Sequence, residues 1–318
     1  MVGEGVVRVR RGLLVESEHR FAWAVADGEG SLDGPLVFAR SAAKPFQALA
    51  GVRAGVPDRI RLRTRHLALA CASHGGSDAH VAVVREILAA AGRGVEDLEC
   101  GPSEPRDERA AAAYRERGGA PSVVRHNCSG KHAFGIALSV SKGWPVHGYL
   151  ERAHPLQRAM RESVADATGL EFGEVEEATD GCGMRTFAVP LGRLASAFGR
   201  LAGGGLGDAG ARLAAAMAKH PELVAFDGEI DTELMRAEPG VIAKIGAEGV
   251  IGIGLPDGRG AAIKVLDGSM RALEPAAVLL ARERLGLNSG GLRLERLARP
   301  TQRNSHGART GQADAELY

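Results

Sequence analysis

The sequence predicts an α/β (α+β) fold. One antiparallel sheet is built from N- and C-terminal strands and packed with helices, beside a mainly helical lobe. Three observations carry this. Residues 6–10 and 21–26 near the start are valine- and aromatic-rich runs of strand length. Residues 249–255 and 261–266 near the end are short apolar runs joined by Pro256-Asp257-Gly258-Arg259-Gly260, a hairpin signal. Between them, caps and apolar stripes of helical period dominate. A single domain over 1–318 follows, with a sheet lobe at about 1–50 and 240–318 and a helical lobe at about 51–239.

The elements follow in order. Gly28 and Gly30 are expected to end the second strand, and a third short strand over 36–39 is entered through Asp33-Gly34-Pro35. A helix is expected from about Pro45 to Gly51, while 66–71 is apolar and ambiguous between helix and strand. Ser77 is a good N-cap for a helix to Ala91, in which Val81, Val84, Leu88 and Ala91 form one stripe and Gly92 stops the turn. Residues 106–117 read as a polar-faced helix. Ser129 is placed to cap a helix reaching Lys142, ended by Gly143. His154-Pro155 opens a helix ending near Gly169, Pro190 opens one ending in the glycines at 203, and 209–220 is alanine-rich helix. A helix over about 275–285 and a basic polar tail complete the chain.

Composition narrows the function. The chain has 318 residues, 45% hydrophobic and 25% charged, the balance of a globular protein. A formal net charge of +1 gives no electrostatic support for nucleic-acid or membrane-surface partners. No stretch approaches the roughly 18 apolar residues of a membrane helix, and no signal-type apolar segment opens the chain, so a cytoplasmic location is expected. The four cysteines, Cys71, Cys100, Cys128 and Cys182, show no paired spacing and fit a reducing compartment.

Lysine usage is pointed. Of 40 basic residues only six are lysine: Lys44, Lys131, Lys142, Lys219, Lys244 and Lys264. Arginine stays protonated near neutral pH, whereas a buried lysine can release its proton. Each lysine is therefore a candidate for a job that needs an amine, with Lys142 and Lys219 expected to be solvated.

Four segments carry chemistry. Ser41 and Lys44 in Arg40-Ser41-Ala42-Ala43-Lys44-Pro45 form S-x-x-K, a spacing that puts a hydroxyl and an amine on one helical face. Pro45 disfavours helical backbone at Lys44, which places that residue at the helix entry. Ser73 and His74 stand in a turn before two glycines. His126-Asn127-Cys128-Ser129-Gly130-Lys131-His132 packs six polar or reactive side chains into seven residues, suited to holding a metal or a substrate carboxylate. Asp180-Gly181-Cys182-Gly183 is a tight turn whose carboxylate suits the α-amino group of an amino acid. Lys244 precedes the C-terminal hairpin; on an inner strand it would echo the K-T-G strand of serine acyl-transferases. The ordinary alternatives are a helix cap at Ser41, loop polarity at Ser73 and Asp180, and a surface pair at Lys244/Glu248.

Together these segments resemble the rhizobial-type asparaginase II family. The resemblance rests on 40–47 (RSAAKPFQ), 70–74 (ACASH), 126–132 (HNCSGKH), 180–182 (DGC), Ala216-Met217 with His220-Pro221-Glu222, Asp231-Thr232 with Leu234-Met235, and Lys244 with 246–249 (GAEG). It implies a serine β-lactamase-like fold and a serine amidohydrolase acting on the side-chain amide of L-asparagine. It implies two serine–lysine pairs, Ser41 with Lys44 and Ser73 with Lys244. Arg40, Lys131, Asp180, Asn127 and Cys182 would bind substrate. No cofactor is required, although relatives can bind zinc through two cysteines and a lysine. Cys128 and Lys131 match one cysteine and the lysine, and no cysteine stands at the other position, near Asp231. A homodimer and a small amino-acid substrate are the partners implied. Competing readings are a glutaminase or other amidohydrolase of the same fold, cysteine catalysis through Cys128 or Cys182 with His126 or His132, and a sensor of amino acids or metal without turnover.

Overall fold

The computed structural model describes residues 1–27, 33–288 and 291–318. Gly28 and Gly30, expected to end a strand, lie outside the described residues. The chain divides into two compact units. The first comprises Met1–Ala42, Val189–Gly205 and Gly228–Tyr318; the second comprises Ala43–Ala188 and Leu206–Asp227.

The first unit is built on a seven-stranded antiparallel sheet. Its spatial order is Ile242–Gly246, Val250–Gly254, Gly260–Val265, Leu14–Ala26, Val2–Arg11, Arg309–Leu317 and Thr301–Arg303. The expected hairpin is present, with Val250 opposite Lys264 and Gly254 opposite Gly260. Strand Leu14–Ala26 joins it to the N-terminal strand, with Phe21 opposite Val265 on one side and opposite Gly5 on the other.

The helix Leu191–Ala202 lies directly on this sheet. Its close approach needs glycine: a Cβ on Gly254 would sit 2.1 Å from Phe198 O, and one on Gly260 2.1 Å from Ala195 O. The helix Met270–Leu285 also packs on the sheet and is longer than expected, with Pro275 inside it. The short strand Leu36–Phe38 matches the third expected strand.

The basic tail is a correction. Residues 291–298 form a helix, and Thr301–Arg303 and Arg309–Leu317 are strands. Arg309–Leu317 pairs along Val2–Arg11, with Gly5 opposite Leu317 and Arg11 opposite Gly311. Only Ala313 of that strand is fully buried, so the apolar alternation that marks a strand is nearly absent.

Glu274, on the Met270–Leu285 helix, is partly buried. Burial first, and the Glu229 carboxylate second, push its pKa up from 4.5 to about 7. The folded value lies above the unfolded one. Its contribution to stability is therefore complete below the unfolded value and lost as pH rises through about 7. Glu274→Gln should match wild type in thermal melting at acid pH. It should be more stable above neutrality by on the order of 2–3 kcal/mol. Equal melting temperatures at alkaline pH would count against this.

The second unit is helical. Lys44–Arg53 packs on Pro155–Thr168, Asp78–Ala90 on Ser129–Lys142, and Thr64–Ala70 on both Gly207–Lys219 and Ser129–Lys142. The ambiguous run at 66–71 is thus helix. Ser77 caps as expected, accepting from the His80 N–H. His154 caps Pro155–Thr168 through its ring, and Gly143 and Gly169 close their helices at φ 68° and 66°. Ser129 does not cap its helix. The N-cap is Cys128, and the Ser129 hydroxyl donates instead to Val124 O at 2.8 Å. A hairpin unforeseen in the sequence, Glu176–Thr179 paired with Arg185–Pro190, presents the Asp180–Gly183 turn.

Candidate active site

Six lysines sort themselves by burial. Lys142 and Lys219 are exposed and Lys264 is half-buried, whereas Lys44 and Lys244 are fully buried and Lys131 is 2% exposed. The three that the sequence singled out for chemistry are the three taken from water.

In the second unit, Lys44 is the first residue of the Lys44–Arg53 helix, ahead of Pro45. Its Nζ donates to Ala72 O at 2.6 Å, to Ser73 Oγ at 3.0 Å and to Cys128 Sγ at 3.2 Å. The sequence reading paired Lys44 with Ser41; the hydroxyl bonded to it here is that of Ser73. Ser73 follows the Thr64–Ala70 helix and is pinned by its own N–H to Val224 O. The next N–H, of His74, donates to Asn127 O, which ties this turn to the 126–132 segment. That segment reaches it because Gly130 lets its helix approach closely: a Cβ there would lie 2.4 Å from Leu69 O.

His74 is a structural peg. Its Nδ1 accepts from the Gly76 N–H, and the Ser129 hydroxyl hydrogen is spent on Val124 O. The ring must then donate through Nε2 to Ser129 Oγ at 2.9 Å. Burial, aided by nearby His80 and Lys44, holds its pKa well below the usual histidine value, so it is neutral.

Around Lys131 two cysteines meet. Lys131 Nζ lies 3.3 Å from Cys182 Sγ. Hydrogen bonding to Cys128 is the main cause that lowers the Cys182 thiol. It prevails over burial and is reinforced by Lys131 and His132. The same hydrogen bond, with burial, raises Cys128. The pair is thus polarised, with Cys182 shifted down and Cys128 shifted up. Burial opposes charge on Lys131, but Cys182, Cys128 and Asp180 outweigh it and raise its pKa, so Lys131 stays an ammonium. His132 is pushed down to about 4 by burial and meets the Tyr149 hydroxyl through Nδ1 at 2.7 Å. Asp180 opens the turn between the hairpin strands, closed by Gly183 N–H to Asp180 O at 2.9 Å with Gly183 at φ 86°.

Cys128, Cys182 and Lys131 stand together as two cysteines and a lysine, the set the resemblance names for zinc; the second cysteine is Cys182 and not a residue near Asp231. Among the described residues no three His, Cys, Asp or Glu cluster as metal ligands.

In the first unit, Ser41 stands in a 3-10 turn, Arg40–Ala43, and is half-buried. Arg40 before it has φ 49°, a left-handed conformation that costs a non-glycine residue about 1 kcal/mol. The turn rests on strand Ile242–Gly246. A Cβ on Gly246 would be 2.6 Å from Ala39 O and 3.2 Å from Ala42 N. Lys244, two residues before Gly246, points to that same face. Lys244 lies on the edge strand of the sheet and not on an inner strand as anticipated, yet it is fully buried and is not a surface partner of Glu248. Its Nζ bonds Asp231 Oδ2 at 3.2 Å and Ile245 O at 3.0 Å. No sequence pattern flagged Asp231 as the carboxylate facing this amine, 13 residues away in the chain.

Comparison with known proteins agrees with the family expectation. The model of the family described as L-asparaginase II matches residues 7–315. The chain belongs to that family. Among solved structures, one similar chain is described as the crystal structure of a putative beta-lactamase from Bacteroides dorei DSM 17855. It is 14% identical over 83% of this chain and 85% of that one, with a TM-score of 0.38. No curated protein matches the chain. The family supports an amide hydrolase of the asparaginase type. Among the described residues no helix is long and apolar enough to cross a membrane.

Proposed function

We propose that the protein is an L-asparaginase working by serine–lysine chemistry, converting L-asparagine to L-aspartate and ammonia. The observation that carries this is the buried 3.0 Å hydrogen bond between Lys44 Nζ and Ser73 Oγ in a chain of the L-asparaginase II family.

In this reading the Ser41 oxygen attacks the side-chain amide carbon while Lys44, as neutral amine, takes the hydroxyl proton. The proton passes through Ser73 to the amide nitrogen, the C–N bond breaks and ammonia leaves. Water then attacks the Ser41 ester, giving its proton back along the same path, and aspartate departs. Lys244 contributes charge to the developing oxyanion. Lys131, held as an ammonium, suits the substrate α-carboxylate, and Asp180 suits its α-ammonium. Asn127 and Cys182 line the same binding role, and Arg40 supports Ser41. No cofactor is needed, and the family resemblance favours a homodimer.

Ammonia release from L-asparagine and L-glutamine, with and without zinc or chelator, tests this. Asparagine should be the better substrate, with no loss of rate on chelation. Equal or better turnover of glutamine would make the protein a glutaminase. Ligand-induced thermal stabilisation with no ammonia would make it a sensor. Activity abolished by thiol alkylation alone would point to cysteine catalysis.

A further inference from the structure

Resting on that reading, we propose that Asp231 is a positioning residue that fixes the Lys244 side chain as an ammonium ion. Lys244 then serves as a stationary cation beside the Ser41 turn. Asp231 and Lys244 are both fully buried. Asp231 Oδ2 accepts from Lys244 Nζ and from the Ile245 N–H, each at 3.2 Å, and Oδ1 accepts from the Thr232 N–H at 3.2 Å. A carboxyl group whose contacts are all with donors is ionised. It also sits in the first turn of the Ile230–Ala237 helix, where the backbone dipole favours an anion. A buried anion of this kind requires its cation: neutralising either partner strands the other in a dry interior.

The pair is built where it matters to Ser41. The Ile245 N–H bond ties Asp231 to the backbone of the strand itself, one residue from Lys244. Gly246, on the Lys244 face of that strand, carries the Ser41 turn. Lys44 has a different company: a carbonyl, a hydroxyl and a thiol. Of the two amines, Lys244 is the one that faces a carboxylate.

The test uses the full chain and two independent readouts. In ¹⁵N-lysine-labelled protein, six lysines give six Nζ signals, and Lys244→Met assigns one of them. At neutral pH the Lys244 signal should be that of an ammonium in wild type and displaced in Asp231→Asn. In kinetics, Asp231→Asn should lower kcat on the order of 100-fold with KM nearly unchanged, and Asp231→Glu should recover part of the loss. Because Asp231→Asn leaves a buried charge unpaired, it should melt below wild type. The double variant Asp231→Asn/Lys244→Met should melt above that single variant. An unmoved Lys244 signal, or an unchanged kcat in Asp231→Asn, overturns the proposal. If the single variant does not fold, a double variant that also fails to fold overturns it, and one that folds supports it. Wild type that releases no ammonia from any amide refutes the functional reading instead, and the Nζ signal and melting order then decide the role of Asp231.

Discussion

Ser41→Ala is expected to lose asparagine turnover on the order of 10,000-fold or more while keeping its fold. The side chain is half-buried in a 3-10 turn whose geometry is set by Arg40 and by the Gly246 contact, neither of which uses the hydroxyl. Removing one oxygen there leaves the packing of that turn unchanged. A melting curve superimposable on wild type, together with lost ammonia release, is the expected result. The comparison with Ser73→Ala is decisive, because Ser73 is the serine bonded to Lys44. If Ser41→Ala retains substantial turnover and Ser73→Ala forms no covalent ester, the nucleophile is Ser73 and the proposed roles are exchanged.

Replacing Lys44 should be almost as damaging. Lys44→Met keeps the volume and removes the amine, and the rate should fall roughly 1,000-fold. Ala72 O and Ser73 Oγ both lose a donor, which should cost about 1–3 kcal/mol of stability. Lys44→Arg discriminates further. Arginine retains a charge but cannot act as a base near neutral pH, so it should be as inactive as methionine. Turnover by the arginine variant approaching that of wild type would show that position 44 supplies charge and not proton transfer.

Much of this was legible in the chain because single residues enforce it. Gly143 and Gly169 end helices where left-handed backbone is needed, Ser77 caps where an oxygen is needed, and the Pro256–Gly260 turn fixes the last hairpin. The scarcity of lysine singled out the three buried amines. What stayed hidden depends on partners remote in sequence. Ser129 looked like a cap by spacing, yet its hydroxyl is claimed by Val124 O and the His74 ring. The choice of Ser73 for Lys44 is made by tertiary placement of the 70–73 turn, which local spacing cannot encode. The same holds for Asp231 facing Lys244, and for Cys182 meeting Cys128 and Lys131. Strand Arg309–Leu317 escaped because both of its faces are largely polar and its identity comes from Val2–Arg11 beside it.

That last pairing bears on how the molecule is made. Strand Arg309–Leu317 stands between Val2–Arg11 and Thr301–Arg303. During translation Val2–Arg11 is made well before Arg309–Leu317, and its flank on that side is unpaired until then. The second unit, 43–188 with 206–227, contains none of these three strands and is free to condense before Arg309–Leu317 is made. Until Arg309–Leu317 is made, the nascent chain therefore carries an open sheet margin, the kind of template on which chaperones and stray strands act.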